Sequence, residues 1–405
     1  MADKTYQIEL GGETVSEDFY GAVLSLAVTE SCASAGSLRL RLRIDLDDNG
    51  VWRLVEDERF DLFQKIKVSI GFSAGKGLAG ALQGMTGGND KLAPVFDGYI
   101  TAIAPTFDAQ PDYSVLEIHA LDTSVLMSLE EKIAGWPDAS DSDIARRILD
   151  GYGVQAKVES TATTHQESDT TIMQRGSDIQ FVRTLAQRNG MEFYFETDAN
   201  SGDVTAFFRP PQLDGEPQPD LAIQFGDASN LRSFAARLAG QRPLHVKVQQ
   251  VDVKANSANT AQAGNLGRIK LGANDLSELE SSTLEGLANP QDAVAQMLLL
   301  GPPTSDATEL QTLAQAVRDD AGWCIVAQGE INSDAYQAVL RPRRLVLVKG
   351  AGKAYSGKYY VTRVVHEITG DGAYTQNFEA VRNARGLDGS ESFGGTGLPV
   401  SIPGV

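Results

Sequence analysis

The sequence is short of three things that would each announce a chemistry. It has only two cysteines, Cys32 and Cys324, whose spacing fits neither a zinc site nor a dense disulfide framework, so both are expected as simple thiols. It is short of positive charge: 35 Lys and Arg stand against 54 Asp and Glu, giving a net charge of −19, which argues against a surface built to grip nucleic-acid phosphates. No apolar window approaches the roughly 20 residues needed to span a bilayer, and the opening MADKTYQIELGGE has no run of signal-peptide type, so folding in the cytoplasm without stable membrane binding is expected.

Catalytic signatures are missing too. There is no HExxH, no GxSxG and no Cys–His arrangement with a positioning motif. Gly71 to Gly77 has the spacing GxxxGKG, without the GxxxxGK run and the Ser or Thr that would hold magnesium, so nucleotide binding is not expected. His165, Glu167 and Asp169 alternate and would share one face of a strand, but alternation of three residues arises too easily to define a metal centre. His119, His245 and His366 lie in strand-like runs and read as packed or inter-strand hydrogen-bonding residues. No catalytic residue, metal or cofactor is therefore expected.

What the chain does have is β-structure. With 405 residues and 42% hydrophobic content it can build two to four cores. Val23 to Thr29, Ser37 to Asp45, Phe60 to Phe72, Val95 to Phe107 and Tyr113 to Leu121 are strand-like runs between turn residues, suggesting a barrel or sandwich. In SLRLRLRID, Leu38, Leu40, Leu42 and Ile44 point one way and Arg39, Arg41 and Arg43 the other, the pattern of a one-sided sheet. The arginines form either a solvated face or a stripe that meets acidic residues of a neighbouring subunit. A second β-region is expected over Leu244 to Val253, Gly267 to Leu271, Trp323 to Gly329, Leu345 to Lys349, Tyr359 to Ile368 and Tyr374 to Val381.

Helical material interrupts these strands. Ile144, Ala145, Ile148 and Leu149 have helical spacing. In ESDTTIMQRGSDIQFVRTLAQRNGMEFYFE, Glu167 to Glu196, Ser177 can cap a helix with a stripe of Ile179, Val182, Leu185 and Ala186; Gly190 ends it, and Met191, Phe193 and Phe195 alternate as a strand. Asp275 to Asp320 carries nine acidic residues against one basic residue, Arg318, with helical patterns around Ala293 to Leu300 and Glu309 to Val317. Its MLLLGPP, which includes Leu298 and Leu299, is either a buried helix end or a docking patch. The Gly71 to Gly88 stretch, with seven glycines and Lys76 as its only charge, reads as a long mobile hairpin loop, and the tail from Ala384 to Val405 as a segment that orders on binding.

The Glu167 to Glu196 unit resembles the phage late control protein D family and the hub portion of VgrG spikes. FDGYITAIAPTF (Phe96 to Phe107), VLEIHALDTSVLM (Val115 to Met127) and the C-terminal Leu340 to Arg382 segment are similar to further family elements in the same order, so the likeness covers nearly the whole chain. The resemblance implies a β-rich α+β fold: a first β-barrel over 1–127, an α/β insertion over 128–203, a second barrel over 204–274 and 321–383, an acidic helical insertion over 275–320, and a tail over 384–405. It implies a homotrimer presenting six similar barrels in a pseudo-sixfold ring. Such a baseplate hub joins the hexameric inner tube to the trimeric spike, in a virion tail or an injection-system particle, beside other baseplate proteins.

The chain stops at Val405 without an OB-like extension or β-helix, so the spike is expected as a separate protein. Expected interface residues are Arg39, Arg41 and Arg43; Gly75, Lys76 and Gly77; Leu298 and Leu299; and, in the tail, Leu387, Phe393, Leu398 and Val400. The competing reading is a baseplate-associated cell-wall hydrolase or carbohydrate-binding module. It needs a carboxylate pair or an aromatic platform, and Trp52, Trp136 and Trp323 lie too far apart in sequence to suggest one.

Overall fold

Alternation of apolar and polar residues dictates one-sided strands, and those strands join into a single long sheet. A computed structural model describes residues 6–72, 92–110, 113–168, 171–198, 201–252, 256–284, 296–300, 307–389 and 391. The sheet has 13 strands, and the path across it runs 231–238, 325–332, 374–382, 357–369, 23–31, 37–43, 115–122, 93–106, 65–70, 6–10 and 13–14. Both β-regions therefore belong to one hydrogen-bonded surface. Their junction is the antiparallel pair Gly357–Thr369 and Val23–Ser31, with Val364 opposite Glu30 and Ile368 opposite Leu26.

Each half keeps its own core. In the first, Leu38, Leu40 and Leu42 point inward with Ile66, Val68 and Ile118. In the second, Ile325, Ala327, Val346, Val361, Val364 and Phe378 pack together. Between the halves in sequence lies an α/β unit: the helices Asp141–Gly151 and Asp178–Arg188 cover a three-stranded sheet of Gln155–Val158, Val204–Arg209 and Glu192–Thr197. The second helix begins as read: the Ser177 N–H donates to Gln180 Oε1, and Gly190 closes the helix at φ +67°.

Three elements differ from expectation. Of Phe60 to Phe72 only Lys65–Ile70 is a strand, because the chain turns over Asp61–Gln64 before entering it. Residues 296–300, expected as helix, form a strand parallel to His245–Asp252; Met297 and Leu299 enter a small core with Leu310 and Ala314, while Leu298 is exposed. A short apolar run fits either period, and the free edge of His245–Asp252 selects the extended one. Gly267 to Leu271, expected as a strand, is irregular. Its backbone is satisfied by side chains instead of a ladder: Asp319 accepts the Gly267 N–H, and Asn383 accepts the Leu271 N–H and donates to the Ile269 carbonyl. At the start of the tail, Ala384–Arg385 pairs with Asn274–Asp275.

Candidate functional site

The junction between the halves is tied by charged groups taken out of water. Glu30, at the end of Val23–Ser31, is buried; Arg341 Nη2 donates to its Oε1 at 2.8 Å, and His366 Nε2 stands 3.2 Å from Oε2. His366 Nδ1 meets the Tyr374 hydroxyl at 2.7 Å. Arg341 also donates to the Pro94 carbonyl, and Arg343 to the Ser31 carbonyl, so one short loop of the second half grips two strands of the first. Burial alone would raise the Glu30 carboxyl, but Arg341 and His366 outweigh it and hold it at about 2. A carboxylate so saturated stays ionised at neutral pH and cannot shuttle protons there; its role is to hold.

The same loop reaches the α/β unit. Arg344 pairs with Glu196 at 2.5 Å, and the Arg343 guanidinium lies 4.1 Å over the Tyr194 ring. Arg343 adopts φ +64°, a conformation a long side chain rarely takes, fixed by its N–H bond to the Val361 carbonyl. Tyr360 donates to Glu192 at 2.6 Å and stacks on Trp323.

Beside this junction, where the α/β unit, the helix Ala307–Ala321 and the second half of the long sheet meet, opens a cleft of about 820 Å³. Trp323, Met191, Val326 and Val381 give it an apolar wall, and Arg183, Arg242 and Arg268 a cationic rim. A smaller groove of about 230 Å³ crosses the outer sheet face at Gly329 and shares Arg363 and Glu379 with it.

The expected interface residues do not converge on this cleft. Arg39, Arg41 and Arg43 line the outer sheet face; Arg39 and Arg41 meet Glu117 of the adjacent strand at 2.7 and 3.5 Å, and Arg43 lies 3.7 Å from Asp45. Leu298 is exposed and Leu299 faces the small core, while Leu387 is half-buried. Gly75, Lys76, Gly77, Phe393, Leu398 and Val400 lie outside the described residues. His165 faces Glu309 at 3.7 Å, Asp169 is outside the described residues, and among the described residues no group of three His, Cys, Asp or Glu could hold a metal ion. No helix among the described residues is long and apolar enough to cross a membrane.

Sequence reasoning missed Glu30, Arg341 and Arg343. The signal available was RPRR immediately before an apolar strand: three arginines beside a fully buried run have to find acceptors or leave the strand end unsatisfied.

Comparison with known proteins places this architecture. The Alg8 N-terminal domain model matches residues 80–370, more than half of the chain, and the chain belongs to that family. Among solved structures, the fold is similar to the 43 kDa tail protein of prophage MuSo2 from Shewanella oneidensis, at 12% identity and TM-score 0.62, covering 94% of this chain and 99% of that one. It is similar to the tail protein from Neisseria meningitidis MC58, at 10% identity and TM-score 0.61, covering 94% and 96%. It is also similar to prophage tail protein gp18 from Listeria monocytogenes EGD-e, at 9% identity and TM-score 0.50, covering 94% and 95%. The β-rich fold is thus one found in phage tail proteins. No curated protein matches the sequence.

Proposed function

We propose that this chain is a structural hub of a phage tail or contractile injection system, akin to late control protein D and the VgrG hub, acting as a trimeric adaptor between a hexameric inner tube and a separate trimeric spike. The observation that carries the reading is the junction: two β-regions, each with its own core, run as one sheet through Gly357–Thr369 and Val23–Ser31. A subunit with two such regions, read as two barrels, offers six equivalent surfaces when three copies close, which is the match a sixfold tube needs. The likeness in fold to phage tail proteins over nearly the whole chain supports it.

The outer sheet face favours a surface that contacts without chemistry. Its charges pair across strands, Arg39 with Glu117, Arg363 with Glu379 and Arg232 with Glu330. The Arg39, Arg41 and Arg43 side chains nevertheless stay about half exposed, so the arginine stripe can still meet acidic residues of a neighbouring subunit. Leu298 and Leu387 are offered as further contacts, and the other baseplate proteins as further partners.

The test is cross-linking of intact particles read by mass spectrometry. This chain should link to both inner tube and spike, at three copies for each six-copy tube ring. Six copies per ring, or links confined to the particle exterior, would overturn the hub reading.

A further inference from the structure

Two surfaces have no partner among the described residues, and they are complementary. The first is the cleft of about 820 Å³. The side chains of Arg183 and Arg242 make no hydrogen bond or ion pair among the described residues; Arg268 spends one nitrogen on the Gly190 carbonyl and lies 5.5 Å over Trp323. Of the carboxylates lining the cleft, Glu379 is engaged by Arg363, and Glu192 accepts the Tyr360 hydroxyl, with burial pushing its carboxyl up. Asp320 alone is left at the rim. In a chain of net charge −19, an apolar cleft with a cationic rim is set apart from the rest of the surface.

The second is the turn Asp61–Gln64. Leu62 and Phe63 are 54% and 47% exposed and adjacent in the chain; within four positions of Leu62 the exposed carboxylates are Glu58 and Asp61, while the cations Arg59 and Lys65 are paired with Asp57 and Asp97. Phe63 sits at φ +63°, where a bulky residue is strained. Its conformation is fixed from the strand beneath: the Phe63 N–H donates to the Ile100 carbonyl at 2.8 Å, and the Ile100 N–H donates to the Gln64 carbonyl at 3.0 Å. The strain is thus held in place to keep an aromatic ring in water, which is how a rigid binding anchor is made.

We infer that the Leu62–Phe63 turn of one copy seats in the arginine-rimmed cleft of the next, with its carboxylates facing Arg242 and Arg268. The inference rests on the trimeric reading above. Because knob and cleft are different patches of one chain, the contact is head-to-tail and closes into a ring when the rotation allows.

Native mass of full-length variants tests this. Phe63→Asp keeps the fold, since the site is exposed and Asp tolerates left-handed backbone; unchanged thermal unfolding would verify that. Wild type is expected at three times 43.4 kDa and Phe63→Asp at 43.4 kDa. Arg242→Glu with Val326→Asp should be monomeric as well, and mixing the two defective chains should give one-to-one dimers and no rings, since one intact contact remains. Oxidised Phe63→Cys, Met191→Cys chains should form covalent trimers. A wild-type trimer that survives Phe63→Asp overturns the knob-and-cleft contact and leaves the hub reading intact; a wild-type chain that is monomeric overturns both.

Discussion

The first β-region and the second are halves of one sheet, yet they are held by different means. Below the arginine stripe, the first half is filled with aliphatic side chains, among them Ile8, Leu40, Val68 and Ile118, all without exposed surface. The second adds buried charge and amide: His366, Gln376, Arg382 and Asn383 are at most 1% exposed. Arg382 is the extreme case, its guanidinium donating to the carbonyls of Leu271, Ser356 and Gly386 and so clasping three segments that share no strand. An apolar core forms wherever the pattern permits, whereas a buried guanidinium is tolerated only when each donor meets its acceptor. The second half thus depends on positions fixed one by one, and the first on pattern.

The sharpest way to break that contrast is Arg382→Met, which keeps the volume and strands the carbonyls of Leu271 and Ser356, while that of Gly386 keeps the Ala273 N–H. Each stranded carbonyl costs ~1–3 kcal/mol, so the loss in urea unfolding should be ~2–6 kcal/mol. A change under about 1 kcal/mol would mean that the clasp is incidental.

Next comes acid. The Glu30 carboxyl is held at about 2 in the folded chain against its usual 4.5, so its contribution is fully present above about pH 4.5 and is lost as pH falls towards 2. The shift corresponds to on the order of 3 kcal/mol. Glu30→Gln should flatten the stability profile across that window, and an unchanged acid limb would show that other carboxylates set it.

Gly329→Ala should cost ~1–3 kcal/mol by overpacking, because a Cβ there would meet the Phe378 ring and the Ser233 carbonyl at 2.7 Å. Ile118→Val in the first half should cost only ~0.5–1.5 kcal/mol, a graded loss of packing. Calorimetry on the two variants compares them directly; an Ile118→Val penalty above that of Gly329→Ala would erase the distinction between halves.

This difference also explains what the sequence disclosed. Strict alternation made Ser37–Arg43 readable to within two residues, and the helix stripe of Ile179, Val182, Leu185 and Ala186 placed the α/β unit. The run QMLLL was not readable because a short apolar run carries no period of its own, and its strand exists by virtue of an edge 51 positions earlier, His245 standing opposite Gln296. Gly267 to Leu271 misled because its backbone is satisfied by Asn383 and Asp319, partners invisible in local pattern. The cleft was likewise hidden: Met191, Arg242, Arg268 and Trp323 come from separate stretches and meet only where three units abut. Glu30 and Arg341 are 311 positions apart, so although RPRR signals that acceptors are needed, nothing local points to Glu30 as one of them.

The most direct test of the account is the native mass of the wild-type chain at near-physiological salt, alone and co-expressed with a spike protein from the same system. A trimer of three times 43.4 kDa, or a three-to-three complex, is the predicted result. A stable monomer under both conditions would contradict the hub.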